Sequence, residues 1–491
     1  MVVMHLTSVC FTTALVVHSA LAWGPTPGFP NSLGRTPFRG WRSWQAVGNE
    51  VTQAVMQTAM RGLVKKRALG VGGGLTSLAD YGYNDVGLDG GYFEKSAGVN
   101  GSCHDANGHM LVNASTFPSL AGMVTHAHDL NLTASWYLNA DGCPGNLERT
   151  AFPNGTYVAD ANMAAALGFD GVKFDSQRGG PSHNITKWAV AVNGTGRPMM
   201  IENCLDKHPK YLLTDPASCA FNFYRSGPDN APSFLGALSK VYHWLDDFLG
   251  VYVGGVAASR PGCFAYADML SIGAPIAGTA IYTEARSNGC ANMTLDEERT
   301  LFAAWSVVSS PLVIAFDVAD DAVVARYWPI VTNARALAIN AAWAGEAGRR
   351  LKEAPPSDPA ALPTAPVGVG CGCEAQHNAS FPAWVIYSKR QPGGAVAVLA
   401  IRLGAAAVAG SAALELSAAE LAAAAALPPA TMADADADTG VGAGAGSGAS
   451  SCSFQATDVW SGATGPTVTA NSPWHPVVSA RNSTFVVFRP V

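Results

Sequence analysis

The chain has 491 residues, enough for two to four domains at roughly 150 residues each. Charged residues make up only 13% of it and hydrophobic residues 48%, and 30 Lys+Arg against 36 Asp+Glu leave a net charge of −6. That balance excludes a basic nucleic-acid surface and a polybasic membrane patch, and the apolar fraction excludes a disordered chain.

The first element is an apolar run from Met1 to Ala22 that ends in Ala20-Leu21-Ala22. It predicts a cleavable secretory signal over residues 1–22, with His5 standing where Lys or Arg is usual. The other long apolar stretch, Leu301 to Val318, is interrupted by Ser306, Ser309, Ser310, Pro311 and Asp317. It therefore reads as a buried helix followed by a strand, and no membrane span is expected. Nine N-x-S/T sites, at Asn100, Asn113, Asn131, Asn154, Asn184, Asn193, Asn292, Asn378 and Asn482, agree with passage through the secretory pathway to the exterior or to a lysosome or vacuole. Of ten cysteines, Cys10 leaves with the signal. The odd number remaining predicts disulfides plus at least one free thiol. Cys371-Gly-Cys373 is too tight for zinc and has no paired histidines, so neither a metal nor a cofactor is expected.

Between Phe38 and about Asn340, strand-like runs alternate with helical patterns. Tyr83–Leu88, Leu132–Tyr137, Phe169–Phe174, Pro198–Ile201, Cys219–Tyr224 and Pro311–Phe316 read as strands, with helices such as Ser119–Asp129, Val158–Leu167 and Ile185–Val192 between them. Thr294 with Glu297 three residues on forms a capping box for a further helix. This rhythm predicts an α/β fold, a (β/α)8 barrel over residues 23–350. A doubly wound sheet is the competitor, but no Gly-rich phosphate loop follows the first strand. Beyond it, Trp384–Tyr387, Ala395–Ile401, Ala456–Trp460 and Thr484–Phe488 predict an antiparallel β-sandwich domain over 365–491. An Ala/Gly-rich stretch, 404–451, interrupts it and reads as a disordered insertion, in which Leu414–Ala426 has loose helical character.

Function in such a barrel collects at the C-terminal strand ends. Those ends offer Trp41 and Trp44, Asp89, Tyr137, Lys173 with Asp175, Glu202, Arg225 with Asp229, and Asp268. Carboxylates that accept hydroxyl hydrogens, beside rings that pack on C–H surfaces, suit a neutral polyhydroxylated ligand.

Gly40-Trp41-Arg42-Ser43-Trp44, Val86-Gly87-Leu88-Asp89, Gly171-Val172-Lys173-Phe174-Asp175, Tyr224-Arg225-Ser226-Gly227-Pro228-Asp229 and Ala267-Asp268-Met269-Leu270 resemble, in order, the motifs of glycoside hydrolase family 27. This is the melibiase-type α-galactosidase and α-N-acetylgalactosaminidase group. The resemblance implies a retaining hydrolase with Asp175 as nucleophile and Asp229 as acid/base, the carboxyls roughly 5–5.5 Å apart. It implies that Asp89, Lys173, Glu202, Arg225 and Asp268 bind the sugar, that Trp44 and Tyr137 line the pocket, and that Cys204 pairs with Cys219. Lys173 and Arg225 are expected to keep Asp175 ionised, and a neighbouring carboxylate to favour the protonated form of Asp229.

Three departures from the family pattern stand out. Asp89-Gly90-Gly91-Tyr92 lacks the second Asp that would grip the 4- and 6-hydroxyls of galactose. Gln177 replaces a cysteine beyond the nucleophile, which leaves Cys143 as a candidate odd thiol. Tyr266-Ala267-Asp268 replaces Asp-Pro-Asp. The expected activity is cleavage of terminal α-D-galactosyl residues. An α-N-acetylgalactosaminidase, a β-L-arabinopyranosidase and an inactive glycan-binding homologue are the alternatives, and a homodimer stays open.

Overall fold

The structure, a computed structural model, describes residues 31–94, 96–139, 151–175, 183–230, 232–274, 293–369, 372–404, 412–426 and 452–491. The expected signal, Cys10, Cys143, Gln177, Asn292, Cys371 and most of the low-complexity stretch lie outside them.

Eight short parallel strands build the first domain. They are β1 (Arg39–Arg42), β2 (Asp85–Leu88), β3 (Thr133–Asn139), β4 (Gly171–Asp175), β5 (Met200–Cys204), β6 (Phe223–Arg225), β7 (Phe264–Tyr266) and β8 (Leu312–Ile314). Their order is β8-β1-β2-β3-β4-β5-β6-β7, so neighbours in sequence are neighbours in space except where β8 returns to β1. The ring closes where Leu270, beyond β7, bridges to Ile314 and donates its N–H to the Val313 carbonyl at 2.8 Å. The (β/α)8 expectation is borne out. Helices begin where their caps dictate: Thr52, Ser119, Asn184, Ser233 and Thr294 each accept a backbone N–H in the first turn. The Thr294–Glu297 capping box opens the helix Leu295–Val307, whose residues from Glu297 onward are buried except Arg299.

Some boundaries differ from the pattern reading. β5 continues to Cys204 instead of stopping at Ile201, and β6 begins at Phe223 instead of Cys219. β1 and β7 have four and three residues, too few for a period of two to register. Gly87 in β2 has a packing reason: a Cβ there would lie 2.2 Å from Arg42 Cδ, so only glycine lets Arg42 cross to Asp85.

The second domain starts earlier than expected. Arg349–Glu353 is already a strand of its sheet, pairing antiparallel with Trp384–Arg390, so residue 365 is too late a boundary. The six strands run in the order Arg349–Glu353, Trp384–Arg390, Val396–Arg402, Asn482–Pro490, Phe454–Asp458, Thr464–Val468. Side chains alternate between faces with period two. Val385, Tyr387, Leu399, Ile401 and Phe485 join the barrel's core, while Trp384, Ile386, Val398 and Phe488 form a second one.

That outer core explains a further correction. Part of the stretch read as disordered is ordered: residues Ala418–Ala425 form a helix with a Ser417–Glu420 capping box. Leu416 bridges to Trp474, and Leu414, Leu416, Leu421 and Ala424 are buried in the second core. Composition alone undervalues this segment because the apolar surface it covers belongs to the sheet. No helix among the described residues is long and apolar enough to cross a membrane.

Candidate active site

Period-two alternation stacks the barrel's inward side chains in layers. Register pairs Tyr137 with Lys173 and Lys173 with Glu202, then Glu202 with Phe223, and these make a deep layer. Two residues further along each strand, Asn139 pairs with Asp175 and Asp175 with Cys204, while Arg225 pairs with Tyr266. The upper layer therefore carries Asp175, Cys204 and Arg225 side by side.

The deep layer is a closed ionic network. Lys173 Nζ donates to Asp89 Oδ2 at 2.8 Å and lies 5.2 Å from the centre of the Tyr137 ring. Burial disfavours the Lys173 charge, but Asp89, with Cys204, Glu202 and Asp175, more than restores it, so its pKa rises well above the ordinary value. Asp89 also accepts the Gly90 N–H, and its own N–H donates to Ser43 Oγ. Arg42 joins Asp85 to Glu202, reaching the latter at 3.7 Å. Burial raises the Glu202 carboxyl despite Lys173 and Arg42. Glu202 is therefore not at the strand tip, where the sequence reading places it; it lies below, and Cys204 takes the place beside Asp175.

In the upper layer Tyr137 Oη lies 3.4 Å from Asp175 Oδ2 and accepts from Asn139. Burial lifts the Asp175 carboxyl above its usual range, outweighing Lys173, Lys207 and Arg225. Asp229 shows the opposite. Burial pushes it up, but Arg225, at 3.0 Å, together with Lys207 and Lys173 pulls it well below the usual carboxylate range. Its side chain is 45% exposed, so solvent weakens these attractions without reversing them. The expected assignment of charge is thus inverted: Asp229 holds its charge more firmly than Asp175.

Asp268 has φ 89° and is nearly buried. Its carboxylate accepts the N–H groups of Asn230 and Met269 and pairs with Arg225 at 3.0 Å. Arg225 is consequently held between Asp268 and Asp229. Trp44 and Tyr137 flank Gly90, where an added Cβ would meet their rings at 3.6 and 3.8 Å, ordinary contact distances. Gly91 is different: it has φ 105° and a Cβ would sit 2.8 Å from the Asn49 backbone. Tyr92 is buried and donates its hydroxyl to the Tyr137 carbonyl.

The expected Cys204–Cys219 disulfide is not formed. Cys204 is a buried free thiol that accepts from Arg225, whereas Cys219 pairs with Cys263. The reason is position: Cys204 ends β5 at the top of the barrel, while Cys219 and Cys263 precede β6 and β7 at the bottom. Cys103 and Cys452 are also disulfide-bonded. The sequence reading missed Arg42, Asn139 and Lys207 as pocket residues. Arg42 and Asn139 share the inward parity of the residues it found, and Lys207 lies in the loop directly after β5.

The fold is a (β/α)8 barrel that gathers Asp175, Arg225, Asp229 and Asp268 at the C-terminal ends of its strands. No protein-family model matches the chain. A curated α-galactosidase of Saccharomyces pastorianus is 28% identical over 350 residues, which cover 67% of this chain and 66% of that protein. The match thus spans about two thirds of that relative's length. The solved structure of a Saccharomyces cerevisiae α-galactosidase with raffinose superposes with a TM-score of 0.64 at 18% identity, covering 94% of this chain and 99% of that one. A family 27 β-L-arabinopyranosidase from Geobacillus stearothermophilus also gives 0.64, at 15% identity over 93% of this chain and 97% of that one. The fold is that of family 27 and the sequence kinship is with α-galactosidases, as the motif resemblance implies.

Proposed function

We propose that the protein is a retaining glycosidase that removes terminal α-D-galactosyl residues by double displacement. The observation that carries this reading is the placing of two half-buried carboxyls at the C-terminal ends of β4 and β6, Asp175 raised by burial and Asp229 held by Arg225 at 3.0 Å. A carboxylate stripped of water is the better nucleophile, and a partly exposed one beside it can exchange protons with solvent and substrate. In the first step an Asp175 oxygen forms a bond to the anomeric carbon as the glycosidic bond breaks, and Asp229 gives its proton to the leaving oxygen. In the second, water loses a proton to Asp229 and attacks the same carbon, which releases Asp175. Asp89, Lys173 and Trp44 offer an acceptor, a donor and a ring face to the sugar. The predicted signal and the N-x-S/T sites support a secretory destination, extracellular or lysosomal.

Gly90 favours a second reading. Where a second carboxylate would stand, Gly90 has the Trp44 and Tyr137 rings at contact distance, which suits a β-L-arabinopyranoside, galactose without its 6-carbon.

Hydrolysis of an aryl α-galactoside followed by NMR tests the proposal. The α-anomer should appear first, and Asp175→Asn should lower kcat/KM by about a thousandfold or more. A folded preparation that cleaves no α-galactoside, α-N-acetylgalactosaminide or β-L-arabinopyranoside would end the catalytic reading.

A further inference from the structure

One cation at the rim is left unused by the double-displacement scheme. Lys207 stands three residues beyond the end of β5, with Nζ 3.7 Å from Asp229 Oδ1. Its side chain is 34% exposed, against 7% for Lys173 in its bond to Asp89. The loop that presents it is fixed on several sides. Asn203 Oδ1 accepts the N–H groups of Leu205 and Asp206. His208 meets the Ser226 carbonyl through Nδ1 at 2.6 Å and Asp247 through Nε2 at 3.2 Å. His208 also keeps φ 143°, a conformation a non-glycine residue retains only where its surroundings impose it.

A proton donor works best when its affinity for the proton matches the working pH. Asp229 carries two cations on one oxygen, Arg225 at 3.0 Å and Lys207 at 3.7 Å. Asp175 faces it across the pocket, Asp268 lies behind Arg225, and buried Lys173 and Lys240 add positive charge from below. Asp229 is therefore held as a carboxylate. Arg225 cannot let go, because Asp268 holds it. Lys207, one-third exposed and 3.7 Å from Asp229, is the looser of the two partners, and the chemistry that draws an ammonium away from a carboxylate is a second anion. With Asp229 as the acid/base reaching the glycosidic oxygen, Lys207, 3.7 Å from it, stands near the scissile bond.

We propose that Lys207 reads an anionic group, sulfate, phosphate or carboxylate, carried by the substrate next to the scissile bond, and that this contact draws Lys207 off Asp229 so that the acid can hold its proton. This rests on Asp229 being the acid/base. In that arrangement the enzyme is selective for charged glycans, and Lys207 is a specificity-determining residue.

The test compares pairs of substrates over a range of pH in the wild type and in Lys207→Gln. One pair is an aryl α-galactoside and its 2-sulfate, and the other is α-galactosylglycerol and its 3-phosphate. These pairs separate a charge on the sugar from one on the leaving group. In the wild type one anionic member should exceed its neutral partner by about tenfold in kcat/KM, and its rate should persist to higher pH. Lys207→Gln should bring that ratio close to one and move the high-pH limb for the neutral substrate upward, because a carboxylate relieved of a cation protonates more readily. Neutral substrates cleaved as well as or better than both anionic ones by the wild type would overturn the proposal, as would an unchanged ratio and pH limb in Lys207→Gln. Absence of any hydrolysis sensitive to Asp175→Asn would instead remove the catalytic reading itself.

Discussion

In the lower half of the pocket, Arg42, Asp85, Asp89, Lys173 and Glu202 have side chains at most 7% exposed, and each is ion-paired. In the upper half, Asp229 and Lys207 are 45% and 34% exposed. The same residue types thus do different work at different depths. Below, a charge withdrawn from water survives only if its partner is fixed, so these groups make a rigid floor. Above, water shares the load, and charges can change partners during a reaction.

The sharpest way to break this comparison is Lys173→Met. Asp89 would lose its ammonium and Glu202 an attractive neighbour inside the barrel, and urea unfolding should show a stability loss of about 3–5 kcal/mol. A loss below about 1 kcal/mol would mean that the floor is wetter than its burial indicates. Next, Cys219→Ala removes the clasp to Cys263 under the barrel and should cost about 2–4 kcal/mol. Cys204→Ala, which breaks no covalent bond, should stay near the roughly 1 kcal/mol of an ordinary point substitution. Equal effects from the two would contradict the pairing. The smallest effect sharpens the comparison. Gly90→Asp has room for its Cβ between Trp44 and Tyr137, and it adds an acceptor beside their rings. It should raise kcat/KM on an α-galactoside by about tenfold relative to a β-L-arabinopyranoside, the value of one charged hydrogen bond. A ratio that does not move would show that the sugar's 6-position never faces Gly90.

Much of this was legible in the sequence, for reasons that can be named. Lys173 and Asp175 share parity on one strand, as do Phe223 and Arg225, so placing the strands places the side chains. Thr294 and Glu297 announce a helix because their reciprocal bonds are local. What sequence could not supply was depth and partnership across the barrel. Glu202 and Cys204 differ by one step of alternation, and only the register with β4 shows which of them stands beside Asp175. Cys219 finds Cys263 because two strand entries lie side by side 44 residues apart, a separation without a local signal. The helical character of Leu414–Ala426 is legible, but its order is not, because its apolar partner, the outer face of the sheet, lies elsewhere in the chain.

Asp268 has one more consequence. Its carbonyl accepts from Trp305, Leu270 two residues on bridges to Ile314, and its carboxylate holds Arg225. Among the described residues the strand ladder gives way to that single bridge between β7 and β8, which makes this the seam of the barrel. Any breathing that parts the seam must tug on Asp268, and through Arg225 on Asp229. A substitution of Trp305 should therefore be felt at Asp229, and a ligand that grips Asp229 should in turn slow the opening of the barrel.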